Sequence, residues 1–195
     1  AVNCGAFSPT LLEAELFGYV KGAFTGADTS HSGLFEQADQ GTLFLDEIGL
    51  SKPDFQVKLL RALEHGEIRR IGDEKTRCVD VRIITATNKD LEKGVEQEEF
   101  RKDLLYRLNV LTIDIPPLRE RKEDIAALVY FFLEEACREH SNTPSSINSV
   151  ALEALEQYDW PGNGRELRNV VQRAALLCGS DEILMHDLPE RIVDL

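Results

Sequence analysis

Apolar residues along the chain change their pattern near residue 116. In Leu11-Leu12-Glu13-Ala14-Glu15-Leu16-Phe17 they fall three and four apart, which predicts a helix. Ala1-Val2-Asn3-Cys4, ahead of it, reads as the end of a strand, and residues 33–38 as a short helix. Gly41-Thr42-Leu43-Phe44-Leu45-Asp46-Glu47 carries a continuous apolar run, the pattern of a strand covered on both faces in a parallel sheet. A helix is expected next, with Ser51 as its cap, Pro53 in its first turn and Gly66 just past its end. Phe55, Leu59, Ala62 and Leu63 mark its buried face. Residues 68–75, with Gly72-Asp73, predict a hairpin or a second loop, and 79–86 another strand. Helical stretches around Leu91 and over 100–108 precede a third strand expected at 110–115.

Pro116-Pro117 ends this alternation, and only helical periods follow, over 121–139, 149–158 and 163–178. Asn163 and Glu166 have the spacing of a capping box, ahead of an apolar stripe at Leu167, Val170, Val171, Ala174 and Leu177. The pattern therefore predicts an α/β parallel-sheet core over 1–117 followed by a small all-helical subdomain over 118–195. One stretch fits neither period. Lys21 to Asp28 sets Phe24 and Thr25 between Gly22 and Gly26, on what reads as a flexible tip.

Composition narrows the class. A chain of 195 residues, 43% hydrophobic and 29% charged, is ample for a packed core. No apolar run approaches the ~20 residues of a membrane span, and the first residues lack a signal-peptide pattern. Cys4, Cys78, Cys137 and Cys178 lie far apart, as buried thiols in a reducing cytosol would, so a cytoplasmic location is expected. His31, His65, His140 and His186 are equally dispersed, which argues against a metal cluster. A net charge of −13 leaves no excess of cations to neutralise phosphates, so any DNA contact is expected from another segment. Arg119, Arg121 and Lys122 alternate with Glu120, Glu123 and Asp124, as on a solvated helix face.

Four places carry candidate chemistry. Asp46-Glu47 sits at the carboxyl end of a buried strand, where open α/β sheets bind ligands. There Asp46 suits a magnesium ion and Glu47 an attacking water, although acids decorating a helix start give the same pattern. Thr87-Asn88 ends the next strand and either reads a phosphate or caps a helix. Arg165 falls in the first turn of its helix, against the dipole, which suits pairing with an anion or marks a tolerated exposed cation. Arg101 and Arg107, six apart, lie on different faces of a straight helix and cannot grip one phosphate from it.

Together, G-A-F-T-G-A (22–27), G-T-L-F-L-D-E-I (41–48), A-T-N (86–88), F-R-x-D-L-x-Y-R-L (100–108), P-P-L-R-E-R (116–121) and W-P-G-N-x-R-E-L (160–167) occur in that order. The chain resembles, over essentially its whole length, the central AAA+ ATPase domain of bacterial enhancer-binding proteins, the NtrC-like activators of sigma-54 RNA polymerase. The resemblance implies a P-loop NTPase-type core with a helical lid. It implies ATP and Mg2+ as cofactors, with Asp46 and Glu47 as the Walker B pair for the metal and the water. Asn3 matches the asparagine that holds the Walker B glutamate in an inactive pose. Thr87 and Asn88 match sensor I, and Arg165 sensor II in the lid. Arg101 and Arg107 match arginines offered in trans to a neighbouring subunit of a ring, typically a hexamer. Gly22, Ala23, Phe24, Thr25, Gly26 and Ala27 match the loop that contacts sigma-54 and remodels the closed promoter complex.

Two departures bear on these expectations. No G-x-x-x-x-G-K-[ST] occurs in the 195 residues, so the chain is expected to be an N-terminally truncated piece that hydrolyses ATP poorly. Gly164 stands where the family usually has an aliphatic residue, which is expected to loosen Arg165. The alternative to an ATP-driven activator is a non-catalytic AAA+ oligomerisation or interaction module. A helicase or translocase on the same core would want basic pore loops, which Phe24 and the net charge of −13 oppose.

Overall fold

The computed structural model describes residues 1–140 and 144–194. Residues 141–143 and 195, within the predicted helical region, lie outside them. The chain divides into two compact units, Ala1–Thr112 and Ile113–Leu195.

The first unit runs β1 (Val2–Asn3), α1 (Pro9–Phe17), β2 (Gly18–Tyr19), β3 (His31–Ser32), α2 (Leu34–Gln37), β4 (Thr42–Asp46), α3 (Pro53–His65), β5 (Glu67–Arg69), β6 (Thr76–Cys78), β7 (Arg82–Thr85), α4 (Leu91–Glu96) and α5 (Lys102–Leu108). β1, β4 and β7 form a parallel sheet in the order β1-β4-β7, with Asn3 beside Asp46 and Leu45 beside Thr85. β2 pairs antiparallel with β3, and β5 with β6. Leu43 and Leu45 are buried and the alternate residues Phe44 and Asp46 only half-buried, so β4 has one deep face rather than two. The core gathers Phe17, Phe35 and Phe55 around these strands, the first two stacked at 5.3 Å between ring centroids.

Several local expectations change. α3 is capped at Lys52, not Ser51; Ser51 is buried instead and its hydroxyl lacks a partner. Gly66 does end α3, in the left-handed conformation that favours glycine (φ 64°). No strand forms at 110–115: Val110, Leu111, Ile113 and Ile115 are each 80–82% exposed. Alternating apolar residues report strand propensity, but a strand exists only by exchanging hydrogen bonds with a neighbour, and none lies alongside. Only Cys4 of the four thiols is buried; Cys78 is exposed and Cys137 and Cys178 are half-buried.

The second unit comprises α6 (Ile125–Glu139), β8 (Ser146–Ile147), α7 (Ser149–Gln157), α8 (Asn163–Leu177), β9 (Glu182–Ile183) and α9 (Glu190–Val193). β8 and β9 form a two-residue parallel ladder, so the subdomain is helical but not purely so. Its core centres on Trp160, fully buried, with Nε1 donating to the Leu155 carbonyl (2.7 Å) and Tyr158 meeting it edge-on. Leu167, Val170, Val171 and Ala174 line that core, whereas Leu177, assigned to the same stripe, is exposed. The capping box is also differently built. Asn163 turns its side chain to the Leu118 N–H (2.7 Å), and Glu166 reaches back to the N–H of Gly162, the observed cap (2.8 Å). A Cβ at Gly164 would meet nothing within 4 Å, so glycine there is not dictated by packing.

Candidate functional site at the strand ends

The parallel register sets three strand ends side by side. Asn3 ends β1, Asp46 ends β4 with Glu47 next to it, and Thr87-Asn88 lie just past β7, all at one end of the sheet. Backbone bonds lock this end: Cys4 N–H donates to the Asp46 carbonyl (2.8 Å), Ala86 N–H to Leu45 (2.9 Å) and Ile48 N–H to Ala86 (3.0 Å). Asp46 Oδ1 accepts from the N–H of Glu47 (2.9 Å), which fixes one carboxylate oxygen. Its Oδ2 is approached by the Asn3 amide at a loose 3.5 Å and so keeps acceptor capacity. Asn3 is thus aimed at Asp46 rather than Glu47, while its own Oδ1 accepts from Gly5 N–H (2.8 Å).

Glu47 adopts a left-handed backbone conformation (φ 56°, ψ 38°), uncommon for a residue with a side chain and typical of strained functional turns. The turn sends the chain from β4 into a single 3-10 turn, Ile48–Leu50. Gly49 in that turn belongs to no sequence pattern that would mark it. A Cβ there would lie 2.7 Å from Thr87 Oγ1 and 3.1 Å from Lys89 Cβ, so its absence lets the two strand ends close on each other. Cys4 lies beneath the same end. Burial, and then the charge of Asp46, pushes its thiol up to about 11, so it stays protonated and inert.

Arg101 does not belong to α5 but precedes it in an extended conformation (φ −77°, ψ 132°), which removes the straight-helix objection to its acting with Arg107. Its guanidinium is held in a fork by Asp103, at 3.0 and 2.6 Å. Arg107 donates through Nη2 (3.0 Å) and Nε (3.3 Å) to the carbonyl of Leu63. In the helical unit, Arg165 is exposed in the first turn of α8 and lines a cleft of about 570 Å3 with Glu166, Asn169 and Arg191.

The tip 22–27 leaves α1 through β2 and returns through β3. At its base the backbones of Gly18 and Gly33 cross so closely that a Cβ on either would lie 2.4–2.5 Å from the other strand. Gly22 (φ 82°) and Gly26 (φ 98°) are left-handed, and Gly22 N–H closes the tip onto the Ala27 carbonyl (2.8 Å). Ala27 is buried, whereas Phe24 is 39% exposed and rests edge-on against Tyr19, 5.0 Å between centroids. The loop between β5 and β6 supports it: Val20 N–H donates to Ile71 (3.1 Å), and Gly72 leaves room for Ala23.

Glu36 on α2 braces that hairpin through Arg70 (2.6 Å at both oxygens), with Arg77 at 3.8 Å. The hydrogen bond from Arg70 holds the Glu36 carboxyl below the usual carboxylate range. A depressed folded pKa stabilises above the unfolded value, and the contribution fades as pH falls through the folded one. Glu36→Gln is therefore expected to lower stability at neutral pH and to flatten its decline below pH ~4.5, as read by urea midpoints across pH. An equally steep acid limb in the variant would contradict this.

The sigma-54 interaction domain family matches residues 1–114, and the AAA+ ATPase lid domain family residues 119–194. The chain is 50% identical over 188 residues to the transcriptional regulatory protein ZraR of Klebsiella oxytoca, covering 96% of this chain and 42% of that protein. It is 49% identical over 191 residues to the regulatory protein AtoC of Escherichia coli K12, covering 98% of this chain and 41% of AtoC. The chain thus spans about two fifths of the length of these relatives. Its structure superposes on NtrX from Brucella abortus in complex with ADP at a TM-score of 0.88 and 36% identity, covering 99% of this chain and 43% of that one. Saccharomyces cerevisiae Hsp104, at 22% identity and a TM-score of 0.63, shares the fold alone.

Proposed function

This chain belongs to the sigma-54 interaction domain family, with an α/β AAA+ core and the AAA+ lid, and we propose accordingly that it is the ATP-driven motor of a sigma-54-dependent transcriptional regulator. The observation that supports this best is the single sheet end that collects Asn3, Asp46, Glu47, Thr87 and Asn88, with the tip carried on the helix that follows Asn3.

Asp46 suits Mg2+: one of its oxygens retains acceptor capacity, and magnesium takes oxygen ligands, commonly one carboxylate with phosphates and waters. Bound ATP with Mg2+ would supply the scissile phosphoanhydride. Glu47 orients and polarises the attacking water, Thr87 and Asn88 hold the terminal phosphate, and Arg165 of the lid binds phosphate charge. Asn3 changes partner between the two carboxylates as the site fills. Arg101 and Arg107 act on the nucleotide of a neighbouring subunit in a ring, a hexamer as in the family. Phe24 and its flanking residues 22–27 press on sigma-54. The net charge of −13 leaves DNA contact to another segment, and no helix among the described residues is long and apolar enough to cross a membrane.

In the intact protein as its gene encodes it, Phe24→Ala is expected to keep ATP hydrolysis and to lower sigma-54-dependent open-complex formation about tenfold or more, since burying a phenylalanine side chain is worth ~1.5–3 kcal/mol. Unchanged activation would sink the role of the tip. Absence of any ATP hydrolysis by the intact protein would contradict the motor reading.

A further inference from the structure

Among the described residues Gln56 is one of two buried polar ones and is fully enclosed. Its Nε2 donates to the carbonyls of Ser51 (2.9 Å) and Glu99 (3.0 Å), and its Oε1 accepts from the N–H of Arg101 (2.8 Å). Both amide hydrogens are thereby used, and the two carbonyls facing one end of the amide and the N–H facing the other fix its orientation. These partners are not structural generalities. Ser51 closes the turn that begins at Glu47, and Glu99 and Arg101 flank the bend that presents the Arg101 side chain. Gln56 lies on α3, whose Leu63 carbonyl also receives Arg107. One helix, beginning at Pro53 after the 3-10 turn that follows Asp46-Glu47, thus carries contacts to both arginines.

We propose that Gln56 is a positioning residue that registers Arg101 to the Asp46–Glu47 strand end of its own subunit, so that a shift in that turn alters the arginine offered to the next site. This rests on the reading of Arg101 as an arginine acting in trans. Asp103 complements it: Gln56 fixes the backbone of Arg101 while the Asp103 fork holds its guanidinium away from other anions until one displaces it. An apolar side chain at 56 would fill the same space, but would leave two carbonyls and the Arg101 N–H without partners and the bend free to relax.

The test is a double-mutant cycle in the intact protein, with steady-state ATP hydrolysis as readout. Gln56→Met is expected to lower kcat about tenfold to a hundredfold with KM for ATP changed less than about twofold, because misplacing a catalytic group by ~1 Å costs that much while the subunit's own nucleotide contacts remain. Arg101→Ala is expected to lower kcat comparably, and the double variant to be no slower than Arg101→Ala alone. Additive losses, or an unchanged kcat in Gln56→Met, would overturn the proposal. An unchanged kcat in Arg101→Ala would instead overturn the trans-arginine reading itself. Should Gln56→Met fail to fold, Gln56→Asn, which keeps both amide functions one methylene too short to reach all three partners, enters the same cycle with the same expected non-additivity.

Discussion

Glu47→Gln in the intact protein is expected to slow ATP hydrolysis at least about a hundredfold while nucleotide affinity stays within about twofold, the range set by loss of one positioned acid–base group. The substitution keeps side-chain size and hydrogen-bonding reach but removes the charge proposed to polarise water. Glutamine also inherits the left-handed backbone at position 47 with no new clash, so the turn into Ile48–Leu50 persists. In the proposed site affinity would rest on other groups, Asp46, with an oxygen still available, and Arg165. Steady-state phosphate release and titration with a fluorescent ATP analogue separate the two quantities. A variant that hydrolyses within a few-fold of the parent would remove Glu47 from the chemistry. A variant that loses binding as well would make it a structural residue of the turn.

Trp160→Ala is expected to destabilise the helical unit by about 3–5 kcal/mol, the usual cost of deleting a buried large aromatic. The cost has two parts. The vacated space opens in the buried core that also holds Leu155, Leu167 and Val171, and the Leu155 carbonyl loses its indole donor. Trp160 itself has a left-handed backbone (φ 49°) and opens the turn that leads, through the Asn163 N–H to Trp160 carbonyl bond (2.7 Å), into α8. Loss of the ring therefore also loosens the start of the helix that bears Arg165. Against a total stability of about 5–15 kcal/mol for a domain, the variant should show a separate, early unfolding transition in urea. Trp160→Phe, which keeps most of the ring and loses the donor, should cost nearer ~1–2 kcal/mol. Equal losses in the two variants would mean that the hydrogen bond, not the packing, holds this turn.

The parts of the fold visible in the sequence are those governed by short-range rules. The run Leu43-Phe44-Leu45 ahead of two carboxylates marks β4, and the period of Leu167, Val170, Val171 and Ala174 marks the buried side of α8. Where a feature depends on a distant partner, periodicity misleads or is silent. The alternation at 110–115 is strand-like, yet no neighbouring strand completes a ladder. Asn163 and Glu166 have capping-box spacing, yet Asn163 is taken by Leu118, 45 residues away. Arg101 and Arg107 look incompatible on one helix until the chain is seen to bend before α5. Gln56, Gly49 and the Gly18–Gly33 crossing leave no mark in the sequence for the same reason. Each matters because of residues remote in sequence, and glutamine and glycine carry no periodic signal of their own.

The tip is better ordered than its glycines suggest. Phe24 packs on Tyr19 and the turn closes through Ala27, so the proposed contact would be made by a preformed edge rather than a loose loop. That leads to one decisive experiment: a photo-crosslinking amino acid in place of Phe24 in the intact protein, irradiated with sigma-54 RNA polymerase with and without a transition-state analogue of ATP hydrolysis. The tip-contact account predicts a crosslink to sigma-54 that forms with the analogue and is lost without it. A crosslink that is absent, or identical in every nucleotide state, would contradict it.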